Sequence, residues 1–108
     1  MENSCKINEK QSKNQENELI YKYEEDHFRS AVYDVDKLIG SCEYELNNNI
    51  WNIIHTVVIP GYEGRGIAKK LVSILIEEAK KRNIKIHPIC SYAIKMMVGK
   101  EEYFDVLA

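Results

Sequence analysis

Three glycines within six residues, Gly61, Gly64 and Gly66, separate an apolar run that closes on Pro60 from an amphipathic run, in "VIPGYEGRGIAKKLVSILIEEAKKR" (residues 58–82). No other feature restricts the fold as much. A buried strand has to end at Pro60, which has no N–H for the ladder, and a helix has to begin near Gly66. Glycines between them let a ligand come close to the backbone, while unpaired N–H groups and the helix dipole point at the same place. The arrangement suits an anion such as phosphate. It is neither GxxxxGK[ST] nor GxGxxG, so nucleotide-hydrolase and dinucleotide loops do not fit.

The flanking segments set the architecture. Ile67, Leu71, Ile74, Leu75 and Ala79 recur at three- and four-residue steps, which predicts a helix over residues 66–82 that stops at Asn83. Upstream, "IWNIIHTVVI" is apolar on both faces, with Trp51, Ile53, Val57 and Ile59 opposite Ile50, Ile54 and Val58, and reads as a central strand covered on both sides. "LIGSCEYEL" alternates Leu38, Gly40, Cys42, Tyr44 and Leu46 with Ser41, Glu43 and Glu45, a half-buried antiparallel strand. "LIYKYE" and "HFRSAVYDV" add two strands rich in aromatic and β-branched residues. A right-handed crossover places "IKIHP" parallel to the Trp51 strand. "CSYAIKMMVG" is a short helix closed by Gly99, with Lys95 near its end, and "KEEYFDVLA" fits a terminal strand or helix equally well. The expected fold class is α/β (α+β): a mixed sheet, antiparallel at first, with one βαβ unit and a short C-terminal helix.

A length of 108 residues sets one domain. Residues 1–18 have no aromatic residue and only Met1, Cys5 and Ile7 as apolar ones, so they are expected to be a mobile tail preceding a domain over 19–108. A net charge of −2 excludes a general attraction to nucleic acid or to acidic membranes. No secretory signal or apolar run of about 18 residues is visible, which points to the cytoplasm or nucleus. Cys5, Cys42 and Cys90 are odd in number and contain no CxxC pair, so no disulfide framework and no metal site is expected.

"V-I-P-G-Y-E-G-R-G-I-A" (residues 58–68) resembles the acetyl-CoA loop of the GCN5-related N-acetyltransferase family, V-x-P-x-[YF]-[QR]-G-[KR]-G-[IL]-[GA], at all positions but Glu63. The run from residue 19 to residue 59 is filled by four strands and has no room for the two helices that family members carry after their first strand. The chain is therefore similar to a small, truncated subfamily, which it also resembles in "HT-x-V" and "P-x-C-S-Y". The resemblance implies an N-acetyltransferase that takes acetyl-CoA and releases coenzyme A, with an acceptor amine that is not specified. It equally allows a sensor or interaction module that binds acetyl-CoA with little turnover. Val57, Val58, Ile59, Gly61, Tyr62, Glu63, Gly64, Arg65, Gly66, Ile67 and Ala68 would line the cofactor, with N–H groups near Val57 and Val58 polarising the thioester. Arg65, Lys69 and Lys70 put cations in a first helical turn, each unfavourable by ~0.3–1 kcal/mol unless an anion compensates.

Cys90 follows Pro88 and opens a helix, where N–H groups favour a thiolate; it is a candidate nucleophile or a small buried residue. His55 and His87 could serve it as base, although His55 also reads as a hydrogen-bonded core histidine. Tyr92 and Tyr103 compete as general acid to the leaving thiolate, and Ser91 suits a helix cap. Glu43 and Glu45 could attract a cationic amine. An exposed sheet edge allows a monomer or a weak homodimer.

Overall fold

The computed structural model describes residues 19–108; the expected mobile tail, and Cys5 within it, lies outside the described residues. Strands β1 (Leu19–Glu24), β2 (Arg29–Asp34), β3 (Lys37–Asn47) and β4 (Ile50–Val58) precede helix α1 (Ile67–Lys81), strand β5 (Lys85–Pro88) and helix α2 (Ser91–Met97). They form one sheet in the order β1-β2-β3-β4-β5, antiparallel until β5, which runs parallel to β4. The chain ends in a 3-10 turn (Glu101–Tyr103) and one parallel bridge from Leu107 to Ile86, so the terminal segment is turn and strand together.

Both helices pack on the same face. Successive right-handed crossovers that step the same way across the sheet require it. Ser30 Oγ donates to Leu71 O on α1 at 2.8 Å, and Cys90 at the start of α2 meets Thr56 on that face of β4. Val32, Cys42, Tyr44, Trp51, Ile53 and Ile86 from the strands close on Leu71, Val72, Leu75, Ile76, Ala93 and Met97 from the helices in a single core. Full burial of an aliphatic side chain of this size contributes ~1.5–3 kcal/mol. Within α1 the buried stripe contains Val72 and Ile76, while Ile74 is half-buried. Asn83 ends α1 in the left-handed region at φ 59°, as its position suggested.

The stack of Tyr23, Tyr44 and Trp51 anchors the end of the sheet away from the glycines, with Tyr44 and Trp51 centroids 4.1 Å apart. Arg82, just past α1, lies over Tyr23 and Trp51 and pairs with Glu25 and Glu78. That contact fixes the C-terminal end of α1.

The opposite face carries Ile20, Lys22, Arg29, Tyr33, Glu43, His55 and Val57, and neither described helix covers it. A polar network takes the place of a second layer: Glu24 accepts from Arg29 Nε at 2.8 Å and from Tyr33 Oη. The expectation that the Trp51 strand is covered on both sides is thus overturned. Val57 is 53% exposed.

Two bulges explain the other departures from simple alternation. β3 has an extra residue at Ile39, since Val32 pairs with Gly40 while Tyr33 pairs with Leu38; Ile39 is buried and Leu38 turned out. Leu46, also expected inside, is exposed near the strand end. β4 has its extra residue at Ile54, between the pairs Glu43–His55 and Tyr44–Ile53. Beyond it Thr56 and Val58 face the helices, and His55 and Val57 face the open side.

Candidate active site

Beyond β4 the chain turns through Gly61, Gly64 and Gly66, at φ +98°, +80° and +75°. These left-handed values explain the glycines, and Gly66 is itself the N-cap of α1. A Cβ on any of the three would meet nothing within 4 Å, so the space before the loop is open. A cavity of about 300 Å³ lies there, lined by Val58, Tyr62, Glu63, Gly64, Gly66, Ile67, Ala68 and Tyr92. Lys70 N–H, bonded to Gly66 O at 3.1 Å, is the first of α1 to reach a carbonyl four residues back; those of Ile67, Ala68 and Lys69 have no such partner within the helix.

Side-chain contacts hold the loop in place. Tyr62 Oη donates to Asp34 Oδ2 at 2.5 Å, and that bond, with a smaller contribution from burial, raises the phenol above its ordinary range. The Arg65 guanidinium lies 5.1 Å from the centroid of the Tyr62 ring. Glu63 turns back on the loop, accepting from Gly61 N at 2.9 Å.

A gap opens beside this cradle. β4 and β5 pair only from Ile50–Lys85 to Ile53–Pro88. Ile53 O then accepts from both Ile89 N and Cys90 N, at 2.9 and 3.0 Å, and the chain turns into α2. β4 continues to Val58 with no strand on that side. Ile59 N–H donates to Ile39 O at 2.9 Å, so by strand alternation Val58 N–H points into the gap and Val57 N–H toward β3.

Cys90 stands at this gap. It, rather than Ser91, caps α2: its Sγ accepts from Ala93 N at 3.4 Å. Thr56 Oγ1 lies 3.3 Å from Cys90 Sγ and 3.4 Å from Cys42 Sγ. Burial, opposed by the hydrogen bond with Thr56, pushes the Cys42 thiol up to about 12. Tyr92, 37% exposed, borders the glycine-loop cavity and a second one of about 250 Å³. Lys69, Lys95, Lys100 and Tyr103 also line the second cavity. Burial and Glu102 raise the Tyr103 phenol.

The histidines are placed elsewhere. His55 is exposed on the open face opposite Glu43, and is not a core histidine; His87 borders a separate surface hollow with Asn52. Neither is brought to Cys90. Lys70 leaves the loop to lie over Tyr21, 4.4 Å from its centroid, so of the first-turn cations Lys69 borders a cavity and Arg65 lies on Tyr62. Glu43 and Glu45 lie on the open face. Thr56 was missed as a site residue because strict alternation turns His55, not Thr56, toward the helices. Among the described residues no cluster of three or more His, Cys, Asp or Glu could hold a metal, and no helix is long and apolar enough to cross a membrane.

A strand, a glycine cradle at a helix N-terminus and a parted pair of parallel strands thus form an open anion-binding loop that continues into a gap in the sheet. The sequence profile of the GCN5-related N-acetyl-transferase family matches residues 27–106. Among solved structures, a GCN5-like protein of Staphylococcus aureus is 30% identical, with 82% of this chain and 87% of that one covered and a TM-score of 0.65. PaiA N-acetyltransferase of Thermoplasma acidophilum, in complex with coenzyme A, is 19% identical over 63% of this chain and 46% of its own, with a TM-score of 0.54. N-acetylglutamate synthase of Neisseria gonorrhoeae, complexed with coenzyme A and N-acetyl-glutamate, is 17% identical over 67% of this chain and 18% of its own, with a TM-score of 0.56. No curated protein sequence matches. The chain belongs to the GCN5-related N-acetyltransferase family. It is an acyltransferase of the N-acetyltransferase type.

Proposed function

We propose that this chain binds acetyl-CoA along the glycine loop and the β4–β5 gap and passes the acetyl group to an amine that arrives from the open face of the sheet. The observation that carries the reading is the juxtaposition of the open cradle at Gly64 and Gly66 with the gap beside Val58 and Cys90. Acetyl-CoA would supply an electrophilic thioester carbon whose bond to sulfur breaks as the acetyl group is transferred.

The residues present fit that ligand. N–H groups at Gly64 to Ala68 would hold the pyrophosphate, with Arg65 beside them, while Val57, Val58 and Ile59 would bound the pantetheine arm. Lys69, Lys95 and Lys100 would take the phosphate on the ribose in the adjoining cavity. Val58 N–H would stabilise the negative charge that develops on the carbonyl oxygen. Tyr92, at the junction of the cavities, would give a proton to the leaving sulfur. The Cys90 sulfur would attack the thioester carbon as its bond to coenzyme A breaks, and the amine would then attack the resulting acetyl-cysteine, forming the amide and freeing the Cys90 thiol. His55 would take the amine's proton on the acceptor side, with Glu43 and Glu45 nearby to attract a cation.

The uncovered sheet face leaves room for a large acceptor, so the acceptor class we favour is an exposed amine of a protein or peptide. The free thiols Cys42 and Cys90 support a reducing, cytoplasmic setting, and the overall negative charge argues against nucleic acid as partner. We place the working unit as a monomer or a weak homodimer through the edge of β1, within a domain over 19–108.

Coenzyme A release from acetyl-CoA, followed with a thiol reagent in the presence of lysine-containing and free-N-terminal peptides, tests the proposal. Continued release beyond one equivalent that depends on an added amine and is mostly lost in Cys90→Ala supports it. Saturable acetyl-CoA binding without amine-dependent release would instead identify a binding module.

A further inference from the structure

Cys42, Thr56 and Cys90 form a chain of side-chain contacts between β3, β4 and α2. Cys42 is fully buried, and a thiol pushed up to about 12 keeps its proton at neutral pH. Its side-chain hydrogen-bonding neighbour is Thr56 Oγ1 at 3.4 Å. Thr56 Oγ1 also lies 3.3 Å from Cys90 Sγ, so one hydroxyl bridges the two sulfurs. Cys90 Sγ also accepts from Ala93 N–H at 3.4 Å. The Cys90 sulfur is therefore held between the Thr56 hydroxyl and the Ala93 N–H.

We infer that Thr56 is a positioning residue for Cys90: its hydroxyl, oriented by the buried Cys42 thiol, anchors the Cys90 sulfur on the helix side and leaves its reactive side to the gap. This gives the inner thiol a task that needs no chemistry of its own. The inference concerns the reactivity of Cys90 and stands apart from acetyl transfer.

Alkylation of the full-length protein by iodoacetamide at neutral pH, without acetyl-CoA, is the test; the sulfur forms an S–C bond and iodide leaves. Peptide mass spectrometry follows Cys90 separately, with Cys5 as internal reference. Thr56→Val keeps the shape but removes the hydroxyl, and Cys90 is expected to react about tenfold more slowly, the equivalent of ~1.4 kcal/mol. Thr56→Ser restores the rate to within about twofold, which a purely packing role would not do. Should Thr56→Val fail to fold, Cys42→Ala, which removes the other partner of the Thr56 hydroxyl, is expected to slow Cys90 about threefold. A wild-type rate in folded Thr56→Val, no rescue by Thr56→Ser, or an unchanged rate in Cys42→Ala used in its place overturns the inference.

Discussion

Gly40 lies directly against the carbonyl of Val57: a Cβ added to Gly40 would stand 3.0 Å from Val57 O and 3.0 Å from Val32 Cγ1. β3 and β4 approach this closely just where β4 turns its free side to the gap. Gly40→Ala should therefore displace β4 next to Val58, destabilising the fold by about 1–3 kcal/mol, as overpacking does. Thermal unfolding would show this as a Tm lowered by several degrees, and the KM for acetyl-CoA should rise. An unchanged Tm and KM would mean that the strands yield without cost.

The lysine-lined cavity should distinguish coenzyme A from its 3′-dephospho form. Lys69→Ala and Lys95→Ala are each expected to weaken acetyl-CoA binding about threefold and to leave 3′-dephospho-acetyl-CoA nearly unaffected. Calorimetric titration of both ligands measures the difference, which should shrink at high ionic strength. Equal losses for both ligands would remove the phosphate from this cavity.

Glu63 occupies a position where the family carries Gln or Arg, and it adds negative charge to the wall of the glycine-loop cavity. Glu63→Gln should tighten acetyl-CoA binding by about threefold, since the charge is lost while the side-chain oxygen can still accept from Gly61 N–H. Weaker binding in that variant would show that the loop needs the carboxylate.

Cys42 should make itself felt at alkaline pH. Its thiol is raised in the fold from 9.0 to about 12, mainly by burial, so the folded state holds the proton more tightly. That contribution to stability is fully present below about pH 9 and is lost as pH rises toward the folded value. Between about pH 9 and pH 10 wild-type protein should lose ~1 kcal/mol relative to Cys42→Val, measured by urea unfolding at each pH. A constant difference would show that the thiol titrates alike in both states.

The helix α1, the strand order of a βαβ unit and the glycine cradle were legible because each rests on a local pattern: three- and four-residue apolar steps, Pro60, and Gly66 at a helix start. The sides taken by β4 residues were not. One extra residue at Ile54 reverses the alternation after it, and the hydrogen bonds that create a bulge leave no mark in composition. Hence His55 looked inward on paper while Thr56 holds that place beside Cys90. The bare face of the sheet was hidden for a related reason: Val57 and Ile54 read as core, yet no described helix reaches them.

Titration of the purified protein with acetyl-CoA, alongside Gly66→Glu, tests the central claim most directly. The variant would force a side chain into the left-handed backbone at φ +75° and place a carboxylate at the cradle. The account predicts saturable binding by wild type at or below about 100 μM, some 5.5 kcal/mol, and at least tenfold weaker binding by a variant whose circular dichroism shows it folded. No binding by wild type, or equal affinity in the folded variant, would contradict it.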